Sequence, residues 1–430
     1  MNKKYINRII DDTLQKYLNV MGAVLIIGPK WCGKTTTGKH FSKSILKLQD
    51  AEKKENYLKL ANIKPKELLE GEKPRLIDEW QLAPVLWDVI RDDIDESSNK
   101  GSYILTGSTM VDESKITHTG TGRIHRLMMK PFTLFESGES NGKISVEDLF
   151  NNPNLNIDGI LADLSIDDLI FASCRGGWPE CFNIKNKEDQ LLIAESYIDN
   201  ICEIDVSEID GTYRDSDLVR TILRSYSKNI STLAKNKTIL GDVCSNYKEI
   251  TQQTLSSYVE VLKKLFVIND INAWSPNIRS KTAIRTSNKK CFVDPSIVSA
   301  ILNLNPKALL FDLKTYGFIF ETLCIRDLSV YTESLGGKIK YYADRYGLEV
   351  DCVLTLKDGR YGLIEFKVGS DEFDKGAKNL LKLNKIIKDK KAKGDTHIRE
   401  PSFLAIITGN NLAETRDDGV KIIPIACLKP

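Results

Sequence analysis

A chain of 430 residues, 41% hydrophobic and 28% charged, has an ordinary globular composition and, at about 150 residues per domain, length for two to four domains. Its net charge of +2 excludes a global electrostatic argument for nucleic acid, so any such partner needs a local basic patch. Nine scattered cysteines with no C-x-x-C pair exclude a disulfide framework and a cysteine zinc site and fit a reducing cytoplasm. No apolar run is long enough to span a membrane, and the opening Met1-Asn2-Lys3-Lys4-Tyr5 leads into no apolar core of a secretory leader. The expectation is a soluble, cytoplasmic protein.

Residues 5–20 carry apolar positions at helical spacing. Ala23-Val24-Leu25-Ile26-Ile27 then reads as a short buried strand, followed by Gly28-Pro29-Lys30-Trp31-Cys32-Gly33-Lys34-Thr35 and a helix opening at Thr36. Strand, glycine loop, Lys-Thr and helix are the context of a phosphate-binding P-loop. Glycines let backbone N–H groups crowd the phosphates, and the helix N-terminus adds a field favourable to anions. On this reading Gly28, Pro29, Trp31, Cys32, Gly33, Lys34, Thr35 and Thr36 contact ATP, with Lys34 on the β- and γ-phosphates and the Thr35 hydroxyl on Mg²⁺. Against it stands a glycine-rich turn with a chance Lys-Thr.

Pro74-Arg75-Leu76-Ile77-Asp78-Glu79-Trp80 is a second apolar strand ending in two acids. Asp78 would hold Mg²⁺ and Glu79 would serve as general base for water; the alternative is a helix N-terminus favoured by two acids. The strand in Gly101-Ser102-Tyr103-Ile104-Leu105-Thr106-Gly107-Ser108 offers Thr106 or Ser108 to the γ-phosphate, or simply turns into a loop. Arg123, in the loop before Ile124-His125-Arg126-Leu127, is the candidate arginine finger for a neighbouring subunit of a homo-oligomer, against a plain surface arginine.

Residues 190–235 read as helices, and Thr251 can cap a helix with the stripe Leu255, Tyr258, Val259, Leu262 and Leu265. Strands near 266–271 and 290–293 follow. Helix, helix, hairpin is a winged-helix order, and the loop residues Arg279, Lys281, Arg285, Lys289 and Lys290 form a basic wing suited to DNA phosphates or, equally, to solvent or a protein partner.

Residues 348–368 contain two alternating strands around Asp358-Gly359. A two-residue loop would put Asp351 and Glu365 on opposite faces. A three-residue loop, with Gly359 left-handed, pairs 356 with 360, sets Asp351 against Glu365 and puts Lys367 one pleat away. Only that register gathers Val350, Cys352, Leu354 and Leu356 with Ile364, Phe366 and Val368 on one side. Two carboxylates and a lysine so placed can bind Mg²⁺ and activate water for phosphodiester cleavage; a solvated Glu–Lys cross-strand pair is the plain alternative. A lysine-rich helix (Lys375, Lys378, Lys382, Lys385, Lys388) and strands at 403–407 and 420–426 complete the chain.

Residues 28–35, Leu76-Ile77-Asp78-Glu79-Trp80-Gln81, Leu105-Thr106-Gly107-Ser108, Gly122-Arg123 and Gly176-Gly177-Trp178-Pro179-Glu180 occur in the order seen in a prokaryotic AAA+-like group. The chain resembles the archaeal-type ATPases with a C-terminal restriction-endonuclease-like domain. The resemblance implies an α/β RecA-like P-loop ATPase at 1–165, a helical and winged-helix region at 166–300, and a PD-(D/E)xK nuclease-like α/β domain at 301–430. It puts Asp351 in the metal position, Glu365 and Lys367 in the E-x-K, and Glu321 on the preceding helix as a further metal ligand. Residues 140–168 match nothing in it. The expected function is an ATPase coupled to a DNA-binding, DNA-cleaving end; the rival is a nucleotide-dependent switch docking a protein partner with a silent nuclease-like domain. A P-loop kinase is disfavoured, because no acceptor pocket is legible.

Overall fold

The computed structural model describes residues 5–107, 120–209, 211–276, 287–393 and 398–430. The chain divides into two units. The first runs to Pro131 and takes in Ser207–Thr212 and Lys264–Phe266; the second holds Phe132–Val206, Tyr213–Lys263 and Val267–Pro430.

In the first unit α1 (Ile10–Val20) precedes β1 (Ala23–Ile27), and α2 (Lys34–Phe41), β2 (Ser44–Lys47), α3 (Lys54–Ile63), β3 (Arg75–Asp78), α4 (Val85–Ser97), β4 (Tyr103–Gly107) and β5 (Ile124–Met128) follow. The five strands are parallel, in the order β2-β3-β4-β1-β5. Both faces are covered, as the near-continuous apolar strands require. Leu25, Ile77, Trp87 and Ile90 pack on one side, and Leu14, Leu18, Val24, Ile26 and Ile104 on the other. Gly38 brings α2 close to the sheet, since a Cβ there would stand 2.8 Å from Leu76. Because β4 lies between β1 and β3, the carboxyl ends of all three strands open on one crevice.

The second unit contains β6 (Ile144–Ser145), α5 (Val146–Asn151), α6 (Ile166–Arg175), α7 (Lys187–Asn200), α8 (Ser216–Lys228), α9 (Asn236–Asn246), α10 (Gln252–Lys264), α11 (Ser296–Leu302), α12 (Pro306–Phe311) and α13 (Leu313–Ser334). β7 (Lys338–Ala343), β8 (Glu349–Thr355), β9 (Tyr361–Lys367), α14 (Phe373–Ala392), β10 (Phe403–Thr408), β11 (Glu414–Thr415), β12 (Lys421–Pro424) and β13 (Leu428–Lys429) complete it. Its six-stranded sheet has the order β11-β12-β10-β9-β8-β7: an antiparallel meander β7-β8-β9, to which β10 and then β12 add in parallel.

The stretch 140–168, left unplaced by sequence, braces this unit. β6 pairs with β13, Phe150 packs edge-on to Phe403, and the Leu155 carbonyl accepts from Lys421 at 2.7 Å. After α10, which Thr251 caps through the Thr254 N–H, the expected hairpin consists of two antiparallel bridges, Ile268 with Phe292 and Ile271 with Lys289. Its first strand then runs on to the edge of β7, where the Trp274 N–H donates to the Tyr341 carbonyl at 2.6 Å. Among the described residues no helix is long and apolar enough to cross a membrane.

Candidate functional site

Gly28 leaves β1 at φ +150, and a Cβ there would lie 2.1 Å from the Met129 carbonyl oxygen, so only glycine lets the loop pass. Gly33, left-handed at φ 102, opens α2. Lys34 is buried and folds back over the loop, donating to the carbonyls of Gly28 (2.9 Å) and Pro29 (2.7 Å). Thr35 Oγ1 donates to Asp78 Oδ1 at 2.7 Å, and Thr106 Oγ1, fully buried, donates to the same oxygen at 2.6 Å. The Thr106 hydroxyl also accepts from the Glu79 N–H at 3.3 Å. Glu79 itself is left-handed at φ 55, a backbone conformation that costs a non-glycine residue on the order of 1 kcal/mol, and its carboxylate accepts from the Gln81 side-chain amide. Helix α2, β3 and β4 thus deliver Lys34, Thr35, Asp78, Glu79 and Thr106 to one crevice.

Other loop residues have different surroundings. Trp31 and Thr36 are exposed, whereas the Cys32 thiol is buried in the core, 3.6 Å from the Met129 carbonyl. Ser108 lies outside the described residues. Arg123 stands at the amino end of β5, the end of the sheet away from the loop, where it is paired with Asp95 at 2.7 Å. A residue the sequence did not single out, Arg8, is buried and clamps the loop. Its guanidinium donates to the Cys32 carbonyl (2.9 Å) and to the Lys130 carbonyl just beyond β5 (2.7 Å). A lone arginine ahead of an amphipathic helix carries no periodic signal that could have found it.

In the second unit the hairpin adopts the three-residue loop. The Leu356 N–H donates to the Arg360 carbonyl at 2.9 Å, Gly359 is left-handed at φ 86, and Cys352 pairs with Ile364. One step further along that register Asp351 faces Glu365, and the Phe366 N–H donates to Asp351 Oδ2 at 3.0 Å. The apolar pattern is two-sided: Val353 and Leu363, of the same parity as the acids, are fully buried with α14 residues. Glu321 on α13 is nearly buried; Phe318, expected in its apolar stripe, is exposed.

The sequence misplaced two lysines. Lys289 and Lys290, expected on a solvent-facing basic wing, are buried and paired with acids; Arg279, Lys281 and Arg285 lie outside the described residues. Lys290 faces Asp270, which also accepts from the Tyr226 hydroxyl. Lys289 enters the carboxylate cluster, with Nζ 2.8 Å from Glu321 Oε1, 3.3 Å from Asp351 Oδ1, 3.3 Å from Glu349 Oε1 and 3.5 Å from the Asp351 carbonyl. Lys367 Nζ stands 2.9 Å from Glu365 Oε2 and 3.5 Å from Asp351 Oδ2, while the Asn379 amide donates to Glu365 Oε1 at 3.3 Å. Asp351, Glu365 and Lys367 do converge, with ammonium groups between the acids. Among the described residues no group of three His, Cys, Asp or Glu side chains is arranged to hold a metal.

Charges follow from this packing. Burial pushes the Glu321 carboxyl up to about 8 against the pull of Lys289. Burial, joined by the Asp351 charge, pushes Glu365 up to about 8. Burial acts upward on Asp351 too, but Lys289, Lys367 and the Phe366 N–H together hold it at about 2. Burial works against the Lys289 ammonium, yet the carboxylates of Glu321, Asp351 and Glu349 hold it well above the usual lysine range.

An AAA domain model matches residues 21–137. Over these residues the chain is similar to AAA domains, in keeping with the parallel sheet and the glycine loop. Two further models, both of domains of unknown function, match later segments: DUF8612 at 166–308 and DUF4143 at 316–428. No curated protein matches. Among solved structures, the chain is similar to the Walker-type ATPase PABY2304 of Pyrococcus abyssi, with 15% identity, a TM-score of 0.42, and 69% of this chain and 96% of that one covered. It is also similar to AMPPCP-bound DnaA from Aquifex aeolicus, at 13% identity and a TM-score of 0.26, with 61% and 89% covered. These likenesses are too distant to transfer a role. The matched segment takes in β1, the glycine loop, Asp78, Glu79 and Thr106, so the crevice lies within it.

Proposed function

We propose that the AAA domain hydrolyses ATP with Mg²⁺ and that the second unit is a nuclease-like module that meets DNA. The observation that carries the first part is the meeting of Thr35 and Thr106 on one oxygen of Asp78, with Glu79 held beside it by Gln81. Thr35 and Asp78 supply neighbouring oxygens of the hard kind that Mg²⁺ prefers, so the donor set fits. Thr35 and Asp78 would hold the metal, which would supply a positive charge to offset that of the phosphates. Lys34 gives up the Gly28 and Pro29 carbonyls to take the β- and γ-phosphates, and Glu79 draws the proton from the attacking water. Thr106 fixes Asp78 and the Glu79 backbone rather than the γ-phosphate. Arg123 would have to leave Asp95 to reach a neighbouring subunit.

The nuclease-like reading rests on the succession α13, β7-β8-β9, α14, β10, with Asp351, Glu365 and Lys367 on one face of the sheet. The exposed lysines of α14 (Lys375, Lys378, Lys382 and Lys385) give that unit a basic surface for phosphate contacts. One observation favours the silent variant of this module: Lys289 among its acids. In that case the protein is a nucleotide-dependent switch that docks a partner.

The test is phosphate release by the full chain with and without DNA. Lys34→Ala is expected to lower turnover by about 100-fold or more, the scale of removing one transition-state donor. Stimulation by DNA that fades with salt would support the DNA half of the reading. Undiminished turnover in Lys34→Ala would refute the ATPase half.

A further inference from the structure

We infer that Lys289 is the built-in counter-cation of the Glu321–Asp351 cluster, seated on the oxygens a divalent metal would need, so that the site takes Mg²⁺ or Mn²⁺ only when this ammonium is removed. The inference rests on the nuclease-like reading only for which oxygens a metal would use. Its geometry is independent of that reading.

The Lys289 side chain is fully buried, and its ammonium has three N–H groups to place among four oxygens within 3.5 Å. A hard divalent cation would draw the same carboxylate oxygens in to about 2.0–2.6 Å and leave no room for that ammonium. The backbone of Lys289 is fixed: it exchanges two hydrogen bonds of 2.9 Å with Ile271. Its ammonium stands 5.9 Å from the centre of the Tyr341 ring. Lys367 serves the other end of the cluster, and Asp351 is shared between the two lysines.

The electrostatics point the same way: the Lys289 ammonium lies among the carboxyl groups of Glu321, Asp351 and Glu349, and removing it would leave that end of the cluster without its cation. The lysine comes from the segment matched as 166–308 and the acids from the segment matched as 316–428, so the counter-cation also links two separately recognised parts of the chain.

The experiment is a Mn²⁺ titration of the full-length, nucleotide-free protein, with free Mn²⁺ read by electron paramagnetic resonance. Lys289→Met and Lys289→Gln are compared with the wild type, each with and without Asp351→Asn to assign the site. The wild type is expected to show no Asp351-dependent binding, and each Lys289 variant should bind Mn²⁺ at least about tenfold more tightly, an affinity that Asp351→Asn removes. Mn²⁺ should also raise the melting temperature of the Lys289 variants and not that of the wild type. Asp351-dependent binding by the wild type would overturn the inference, even where neither variant folds. Folded variants that bind no more tightly would overturn it too. DNA cleavage assayed alongside separates the two readings: Mn²⁺ binding in Lys289→Met without cleavage upholds the counter-cation and removes the nuclease.

Discussion

Lys34, Thr35, Asp78 and Glu79 reach one crevice because two strand ends and one helix start meet there, and each residue type could be read from its place in the sequence. Glycine loop, Lys-Thr and an apolar run ending in Asp-Glu have few other physical uses in that order. Arg8 and Lys289 could not be read in this way. Arg8 acts through two carbonyls that only the fold brings near it, and Lys289 sits in a basic run that resembles any solvated face. The buried carboxyls of Glu321 and Glu365 make a residue-scale prediction. Their pKa values in the folded chain lie near 8, above the ordinary glutamate value, so the folded state holds protons that the unfolded chain releases earlier. Their stabilising share is present at acid pH, declines as pH rises past the unfolded value of about 4.3, and is lost above about 8. Thermal melting from pH 5 to pH 8.5 should therefore show a falling melting temperature, and Glu365→Gln should flatten the fall. An unchanged slope in that variant would assign the pH dependence elsewhere.

Alternating residues set the register of the β8–β9 hairpin, because a slip of one residue would exchange the faces of Asp351 and Glu365. The three-residue loop read from that alternation is the one observed, closed by Leu356 and Arg360 with Gly359 left-handed. Gly359→Ala should destabilise the second unit by about 1–2 kcal/mol, the cost of a left-handed conformation for a residue with a Cβ. Denaturant melts of the variant would measure this, and a loss near zero would mean that the loop can take up another turn. The two-sided burial of these strands was not legible, because α14 covers a face that the alternation marked as polar. The winged-helix expectation is helix, helix and hairpin; the hairpin here consists of two isolated bridges, and its first strand ends against β7.

At the scale of the whole molecule, the stretch Gly176-Gly177-Trp178-Pro179-Glu180 is a joint. Gly177 donates its N–H to Asp294 at 3.0 Å, and a Cβ on it would lie 2.1 Å from the Phe132 carbonyl; the buried Trp178 indole donates to Ser296. Arg326 pairs with Asp294 at 3.0 Å and with Asp327 at 2.8 Å, and Asp327 accepts from the Leu134 N–H. This fully buried network ties residues 134, 177, 294 and 327 together, and no sequence pattern announces it because its members are scattered over nearly 200 positions. Arg326→Ala leaves two buried carboxylates without their cation and should cost about 3–5 kcal/mol, seen as early melting of the second unit by calorimetry; a loss below about 1 kcal/mol would show that the network is not what holds these segments. The central claim belongs to the AAA domain, and one measurement on the full chain tests it most directly: nucleotide binding and Mg²⁺-dependent phosphate release compared in the wild type and Glu79→Gln. The account predicts that the variant binds ATP as the wild type does while turnover falls by about 100-fold or more, the scale of a lost general base. Turnover in Glu79→Gln within twofold of the wild type would contradict it.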